Sequence, residues 1–349
     1  MNKQLADGTD MRVFQIEGDW GLNHLIIGSR PNPRPGPGQV LLRMRASSIN
    51  YRDPIVPERG YGSQSGELPL IPVSDGVGDV VEIGADVTRV KVGDRACPAY
   101  FQTWISGEPN ANRLTQSLGG PLDGTMAEFM CLSEEGVVKV PDYLSNLEAS
   151  TLPCAALTAW SALVECGRMK PGEQLLIQGS GGVALFALQF ARMLGVQVTV
   201  ISSSEAKIDR LTAMGADFTI NYRETPEWGK AARAITDGRG FDHILEVGGE
   251  KTLPQSLRCI RPGGTLSMIG ILSGAMISTS LGLIITRQVR LQGITVGHRD
   301  GFEAMLRAME RNRIRPVIDR VFPFEALKES FTYIKSGAQF GKICIDHDQ

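Results

Sequence analysis

Gln174-Leu175-Leu176-Ile177-Gln178-Gly179-Ser180-Gly181-Gly182-Val183-Ala184 decides the fold. Its first residues form a short apolar run that reads as a strand buried on both faces. The glycines that follow open an apolar helix from Val183 to Leu194, with Gly195 placed to stop it. The turn fits the G-x-G-x-x-G/A pattern in the setting that gives it meaning, directly after a strand and opening a helix. Gly179 permits the tight turn, Gly181 lets a pyrophosphate approach the backbone, and Ala184 is small enough for close helix–strand packing. The N–H groups and positive dipole end at Gly182 and Val183 would meet the phosphates. In isolation such glycines serve any turn that needs positive φ. Here strands follow at Val196–Ile201, Phe218–Asn221, His243–Val247, Thr265–Gly270 and Val289–Val296, with a helix at Glu205–Met214 and further helical stretches between most of the others. That alternation predicts an α/β, doubly wound parallel sheet with right-handed crossovers, and a dinucleotide on it.

The end of the second strand selects the dinucleotide. NAD-binding sheets usually place an acid there, roughly 20 residues beyond the glycines, to hold the ribose 2′-hydroxyl. This chain has Ile201-Ser202-Ser203-Ser204 and no acid before Glu205. A carboxylate would repel a 2′-phosphate, whereas Ser202 and Ser203 can donate to it and Lys207 or Arg210 can neutralise it. The same serines suit the cap of the next helix, and both roles can hold together. The expected cofactor is NADP(H).

Upstream, residues from about 38 to 150 read as short turn-bounded strands, among them Gly38–Ala46, Asp79–Gly84 and Val137–Pro141, which suggests a mainly antiparallel sheet or small barrel. The stretch 101–124 is a long polar loop. Beyond 297 come an amphipathic helix, Gly301–Arg311, and a closing strand, Gly341–Ile345. A net charge of −2 offers nothing to nucleic acid or an anionic membrane. No apolar run is long enough to span a bilayer, the start MNKQLADGTD lacks a secretory core, and six dispersed cysteines suit a reduced, cytoplasmic setting.

Taken in order, Pro35-Gly36-Pro37-Gly38-Gln39-Val40, Asn50-Tyr51-Arg52-Asp53, Gly78-Asp79-Val80-Val81-Glu82-Ile83-Gly84, Val92-Gly93-Asp94-Arg95, Ala155-Ala156-Leu157-Thr158-Ala159-Trp160, the glycine turn, Pro262-Gly263-Gly264 and Phe340-Gly341-Lys342 resemble the medium-chain dehydrogenase/reductase superfamily over nearly the whole chain. The resemblance implies a GroES-like, mainly-β catalytic domain from 1–152 and 297–349. A Rossmann domain at 153–296 would be inserted in it, with the active site in the cleft between the two. Many members hold a catalytic zinc, whose three ligand positions would fall at Asn50, Ser74 and Cys154. One thiolate cannot make a site that normally takes three protein ligands, so no metal is expected and Cys154 reads as a buried structural residue.

This departure makes the chain similar to the zinc-free branch of quinone oxidoreductases and enoyl or alkenal reductases, and implies hydride transfer to a quinone or α,β-unsaturated carbonyl. Such acceptors delocalise charge and need a metal less than simple ketones do. By the same resemblance Asn50 and Tyr51 would line the nicotinamide end. Arg52 would orient a substrate oxygen or pair with Asp53, and Tyr61 would donate a proton or stand as a loop tyrosine. Thr158 would bond the nicotinamide or its ribose, and Tyr222 the adenosine phosphate. Gly248 with Gly249, and Ile269 with Ile271, would bring backbone to the nicotinamide half. Lys342 would reach a cofactor phosphate or lie solvated. A metal-free alcohol dehydrogenase or carbonyl reductase, and a non-catalytic NADPH-binding protein, remain open alternatives. The family also implies a homodimer paired along Val289–Val296, whose apolar edge would need covering.

Overall fold

The computed structural model describes residues 10–279 and 281–349. These divide into two compact units, one holding the described residues through Ala155 together with Gly297–Gln349, the other Ala156–Val296.

The second unit carries six parallel strands in the order Phe218–Asn221, Gln197–Ser202, Gln174–Gln178, Phe241–Glu246, Ile260–Met268, Arg290–Gly293. The first strand in sequence therefore lies third, and chain order reverses beside it, which makes its carboxyl end the switch point where open α/β sheets bind ligands. Leu176, Ile201, Ile220, Ile244 and Leu266 fill the sheet's interior against Trp228, Leu253 and Leu257. Helix Gly182–Met193 buries Leu185, Phe186, Leu188 and Phe190. Thr158 sits in the short helix Leu157–Trp160, between π-helical turns at Leu152–Ala156 and Ser161–Glu165. Such turns occur frequently at functional sites.

The first unit is built on a sheet in the order Ile318–Pro323, Lys342–Asp346, Gln39–Ile49, Asp75–Ile83, Arg95–Pro98, Val137–Lys139, with Phe129–Ser133 also paired to Gln39–Ile49. Only the pairing of Ile318–Pro323 with Lys342–Asp346 is parallel among these. A hairpin of Asp10–Ile16 and Leu25–Pro31 packs Val13, Phe14, Ile16 and Leu25 against Phe324 and Phe331. The 101–124 segment is tied down: Phe101 bridges to Ser117, and a short helix spans Ala111–Leu114. Among the described residues no helix is long and apolar enough to cross a membrane.

Candidate functional site

In the second unit the glycine turn behaves as a ligand cradle. Gly179 takes φ 81°, a left-handed value that favours glycine. Gly181 is different: it caps the helix at φ −78° and ψ −176°, backbone that any residue adopts, and a Cβ added there would meet nothing within 4 Å. The protein's own packing therefore does not demand glycine at 181. Open space over a helix start with no side-chain cap does suit a pyrophosphate, so these residues fit a dinucleotide.

The adenosine end departs in part from expectation. Ser202 is only 2% exposed, so it offers almost no surface to a phosphate, and its backbone oxygen accepts the Tyr222 N–H at 3.0 Å. Ser203 and Ser204 are half-buried, and Ser204, although at the cap of helix Glu205–Ala213, makes no side-chain cap bond. The capping role weighed for these serines is thus absent at Ser204. Lys207 is half-buried and Tyr222 exposed at the neighbouring strand end.

Gly248 and Gly249 are held by the protein's own bonds. They are buried, and their N–H groups both donate to Glu246 Oε1 at 3.0 Å. A Cβ on Gly248 would stand 2.2 Å from Thr252 Oγ1, so that glycine serves the protein's own packing. Ile269 is half-buried and Ile271 exposed on the adjoining loop.

In the first unit, sheet register gathers a charged cluster. Ile343 pairs with Ile49, and Ser48 with Asp75, which brings Lys342, Asn50 and Asp75 to one end of three adjacent strands. Lys342 is 3% exposed; its ammonium donates to Asn50 Oδ1 at 2.6 Å and to the Ile49 carbonyl at 2.8 Å, and lies 3.9 Å from Asp75 Oδ2. It is neither solvated nor turned to a phosphate. The reason is electrostatic: Asp75 is fully buried and needs a counter-charge. Burial raises the Asp75 carboxyl above its usual range, and Lys342 opposes that rise.

Ser74 and Cys154 complete the cluster, each donating to Asp75, the Ser74 hydroxyl at 3.1 Å and the Cys154 N–H at 3.2 Å. Asn50 Nδ2 donates to Ser74 Oγ over a long 3.4 Å. These residues do not fit zinc. An ammonium stands among them, an amide and a hydroxyl replace two ligands, and burial, then Asp75, holds the Cys154 thiol protonated. Among the described residues no group of three or more His, Cys, Asp or Glu side chains could hold a metal ion.

Arg52 does not ion-pair with Asp53. Its guanidinium donates to the carbonyls of Leu118 and Gly120, at 2.7 and 2.9 Å, and lies 5.2 and 5.8 Å from the rings of Tyr100 and Tyr61. The long loop thus positions the arginine. Tyr51 and Tyr61 are exposed, and burial followed by the charge of Asp53 acts to raise the Tyr61 phenol, against Arg52, so that it stays protonated at neutral pH.

Comparison with known proteins now places the chain. A family model described as an alcohol dehydrogenase GroES-like domain matches residues 36–142, and one described as a zinc-binding dehydrogenase matches 182–311. A zinc-type alcohol dehydrogenase-like protein of Schizosaccharomyces pombe is 40% identical over 318 residues, covering 89% of this chain and 92% of the relative. This chain belongs to the medium-chain dehydrogenase/reductase superfamily. A putative alcohol dehydrogenase from Sinorhizobium meliloti 1021 superposes with a TM-score of 0.91 at 39% identity, covering 97% of this chain and 99% of its own. An NAD-dependent alcohol dehydrogenase superposes with 0.88 at 29%, covering 97% and 100%. As a medium-chain dehydrogenase/reductase the chain is an alcohol dehydrogenase-like oxidoreductase that depends on a nicotinamide dinucleotide, with a GroES-like and a Rossmann-like domain.

Asp53, beside Asn50 in this medium-chain dehydrogenase/reductase, is a buried acid that sequence reasoning saw only as a partner for Arg52. Its Oδ2 accepts the Asn50 N–H at 2.6 Å and its Oδ1 has no partner. Burial pushes its carboxyl up to about 6, against the pull of Arg52. Because the folded value lies above the unfolded one, its contribution to stability is complete below about pH 4 and lost as pH rises through about 6. Asp53→Asn should therefore gain stability relative to the parent as pH goes from 5 to 8, by about 1.4 kcal/mol. Thermal melts at both pH values check this, and a difference that does not change with pH contradicts it.

Proposed function

We propose that this chain is an NADP(H)-dependent reductase that transfers hydride to a quinone or an α,β-unsaturated carbonyl without a metal. The observation that carries the reading is the Lys342 ammonium lodged against Asn50, one of the three positions that the resemblance assigns to zinc ligands, and Asp75, which accepts from the other two, Ser74 and Cys154. A bound dinucleotide would supply the hydride. The chain's own groups would bind and orient the acceptor: Arg52, fixed by two carbonyls, to hold an oxygen, and Tyr61, exposed and protonated, to donate the proton. Ser203, Lys207 and Tyr222 would meet the 2′-phosphate, supported by the lack of an acid before Glu205 and by the uncapped Ser204.

The relatives named alcohol dehydrogenases, one of them NAD-dependent, favour a second reading, an alcohol dehydrogenase that uses NAD. Oxidation of NADPH and NADH is to be followed with quinones, enones and simple aldehydes, with and without chelator. The expected result is turnover of conjugated acceptors, at least tenfold preference for NADPH in kcat/KM, and no effect of chelator. Preference for NADH or loss on chelation would sink the reading.

A homodimer belongs to the same proposal. The edge strand Arg290–Gly293 is exposed along its length, and Ile271, Leu272, Met276 and Leu291 in the same unit are exposed apolar residues. Light scattering at micromolar concentration should give twice the chain mass. The working partners are thus a small carbonyl or quinone substrate and a second copy, in the cytoplasm, with no nucleic acid and no membrane.

A further inference from the structure

We infer that Glu246 and Gln178 are positioning residues for the dinucleotide, clasping the glycine turn and two neighbouring loops into one rigid floor. The inference rests on the dinucleotide reading above. Glu246 ends the strand Phe241–Glu246 and is fully buried, where an unpartnered carboxylate would be untenable. It is instead saturated. Oε1 accepts the N–H groups of Gly248 and Gly249, each at 3.0 Å, and the Thr252 hydroxyl. Oε2 accepts Gln178 Nε2 at 2.7 Å and the Ser256 hydroxyl at 2.6 Å.

Gln178 is the residue before Gly179, on the adjacent strand. Its other end, Oε1, accepts from Val247 and Gly248 N–H at 3.1 and 3.2 Å, so the two side chains lock the glycine turn to the 247–252 turn. The Glu246 carbonyl accepts Ile269 N–H at 2.9 Å and Gly270 N–H at 3.3 Å. Gly248 O accepts Ser273 N–H at 2.7 Å, which zips the 269–274 loop to the same hub. Three segments assigned separately to the cofactor from the sequence (Gly179–Val183, Gly248–Gly249 and Ile269–Ile271) thereby meet around one residue, the first two through the Glu246 carboxylate and Gln178, the third through the Glu246 and Gly248 backbone carbonyls. Charge-assisted bonds of this kind are the strong ones, and fully satisfied buried networks rigidify what they join.

The donor pattern makes the idea testable. Glu246→Gln turns an amide N–H2 either towards Gln178 Nε2 or towards the Gly248 and Gly249 N–H groups, where it finds donors instead of acceptors. Exchanging the two residues, Gln178→Glu with Glu246→Gln, restores a donor facing an acceptor at each of these contacts. The parent's Kd for NADPH and NADH is measured first, by fluorescence of the reduced nicotinamide. If neither binds, the dinucleotide reading itself fails. If the parent binds, Glu246→Gln should raise Kd for the preferred dinucleotide at least tenfold with kcat at saturating cofactor within twofold, and the exchange variant should recover most of the affinity. A Kd within twofold of the parent despite a lower Tm would make the network merely structural and overturn the inference, as would an exchange variant that recovers Tm but no affinity. Should Glu246→Gln not fold, Ser256→Ala, which removes one donor and leaves the others, should still raise Kd two- to fivefold, and an unchanged Kd would overturn the inference too.

Discussion

Gly181→Val is expected to abolish dinucleotide binding while leaving the fold intact. The backbone at 181 is extended, a Cβ there finds nothing within 4 Å, and no side chain caps the helix it opens. The new Cβ therefore meets no internal clash, and Tm should move by no more than roughly 2 °C, in line with substitutions that touch no packed feature. A pyrophosphate approaching the helix start would collide with the new side chain and forfeit two or three charge-assisted bonds of roughly 1.5–3 kcal/mol each. At about 1.4 kcal/mol per factor of ten, Kd should rise by about 100-fold or more. Gly248→Ala supplies the contrast, because its Cβ would stand 2.2 Å from Thr252 Oγ1 and 2.6 Å from Thr252 Cγ2 in a buried turn. Overpacking of that kind costs roughly 1–3 kcal/mol of stability. Fluorescence titration and thermal melts on the two variants separate the cases. Retained binding in Gly181→Val would mean that the open space over the turn is not the phosphate site.

Lys342→Met should strongly destabilise the first unit. It keeps the buried aliphatic stem but removes the ammonium that lies 3.9 Å from the fully buried Asp75. Breaking a buried pair by deleting one partner costs about 3–5 kcal/mol, because the remaining charge is stranded. For a unit of this size that corresponds to a Tm loss on the order of 10 °C. Asp75 has a raised folded value, whose stability is present below the unfolded range and lost as pH climbs through the folded one. Without Lys342 that rise steepens, so the deficit should be largest on the alkaline side and shrink towards acid. The double variant Lys342→Met, Asp75→Asn should recover most of the loss. Equal Tm losses for the single and double variants would show that the pairing is not the source.

Much of the Rossmann half was legible because its signals are local. The strands Gln174–Gln178 and Phe218–Asn221 fall where the apolar runs and glycines put them, and helix Gly182–Met193 begins one residue before the expected Val183. The strand expected at Val289–Val296 shortens to Arg290–Gly293, as an edge strand pairs on one side only. The expected helix Gly301–Arg311 runs Arg299–Asn312, its start set by the His298 side chain accepting Gly301 N–H at 2.8 Å. The hairpin Asp10–Ile16 with Leu25–Pro31 and the strand Ile318–Pro323 were not foreseen. Leu25–Pro31 turns Ile26 and Ile27 outward, against the usual alternation, and Ile318–Pro323 depends on a partner more than twenty residues later.

The candidate site was less legible for the same reason. Nothing near Lys342 in the sequence announces that its ammonium will meet Asn50, 292 residues away, because register across three strands decides it. Ser202 looked available because the triplet of serines hides which one faces inward. Glu246 did leave a signal that went unused: an acid ending the apolar run Ile244-Leu245 and followed within three residues by two glycines, a charge in a place only a dense set of donors could tolerate.

The sheet of the first unit has a consequence for how the polypeptide acquires its shape during synthesis. Gln39–Ile49 needs Lys342–Asp346 as a neighbour, and all of Ala156–Val296 lies between them in the chain. The inserted unit has every strand it requires within its own span, so it can mature on the ribosome while the surrounding sheet still waits for a missing neighbour. The open side of Gln39–Ile49 is then the natural place for a chaperone, or for a wrong strand, to arrive first.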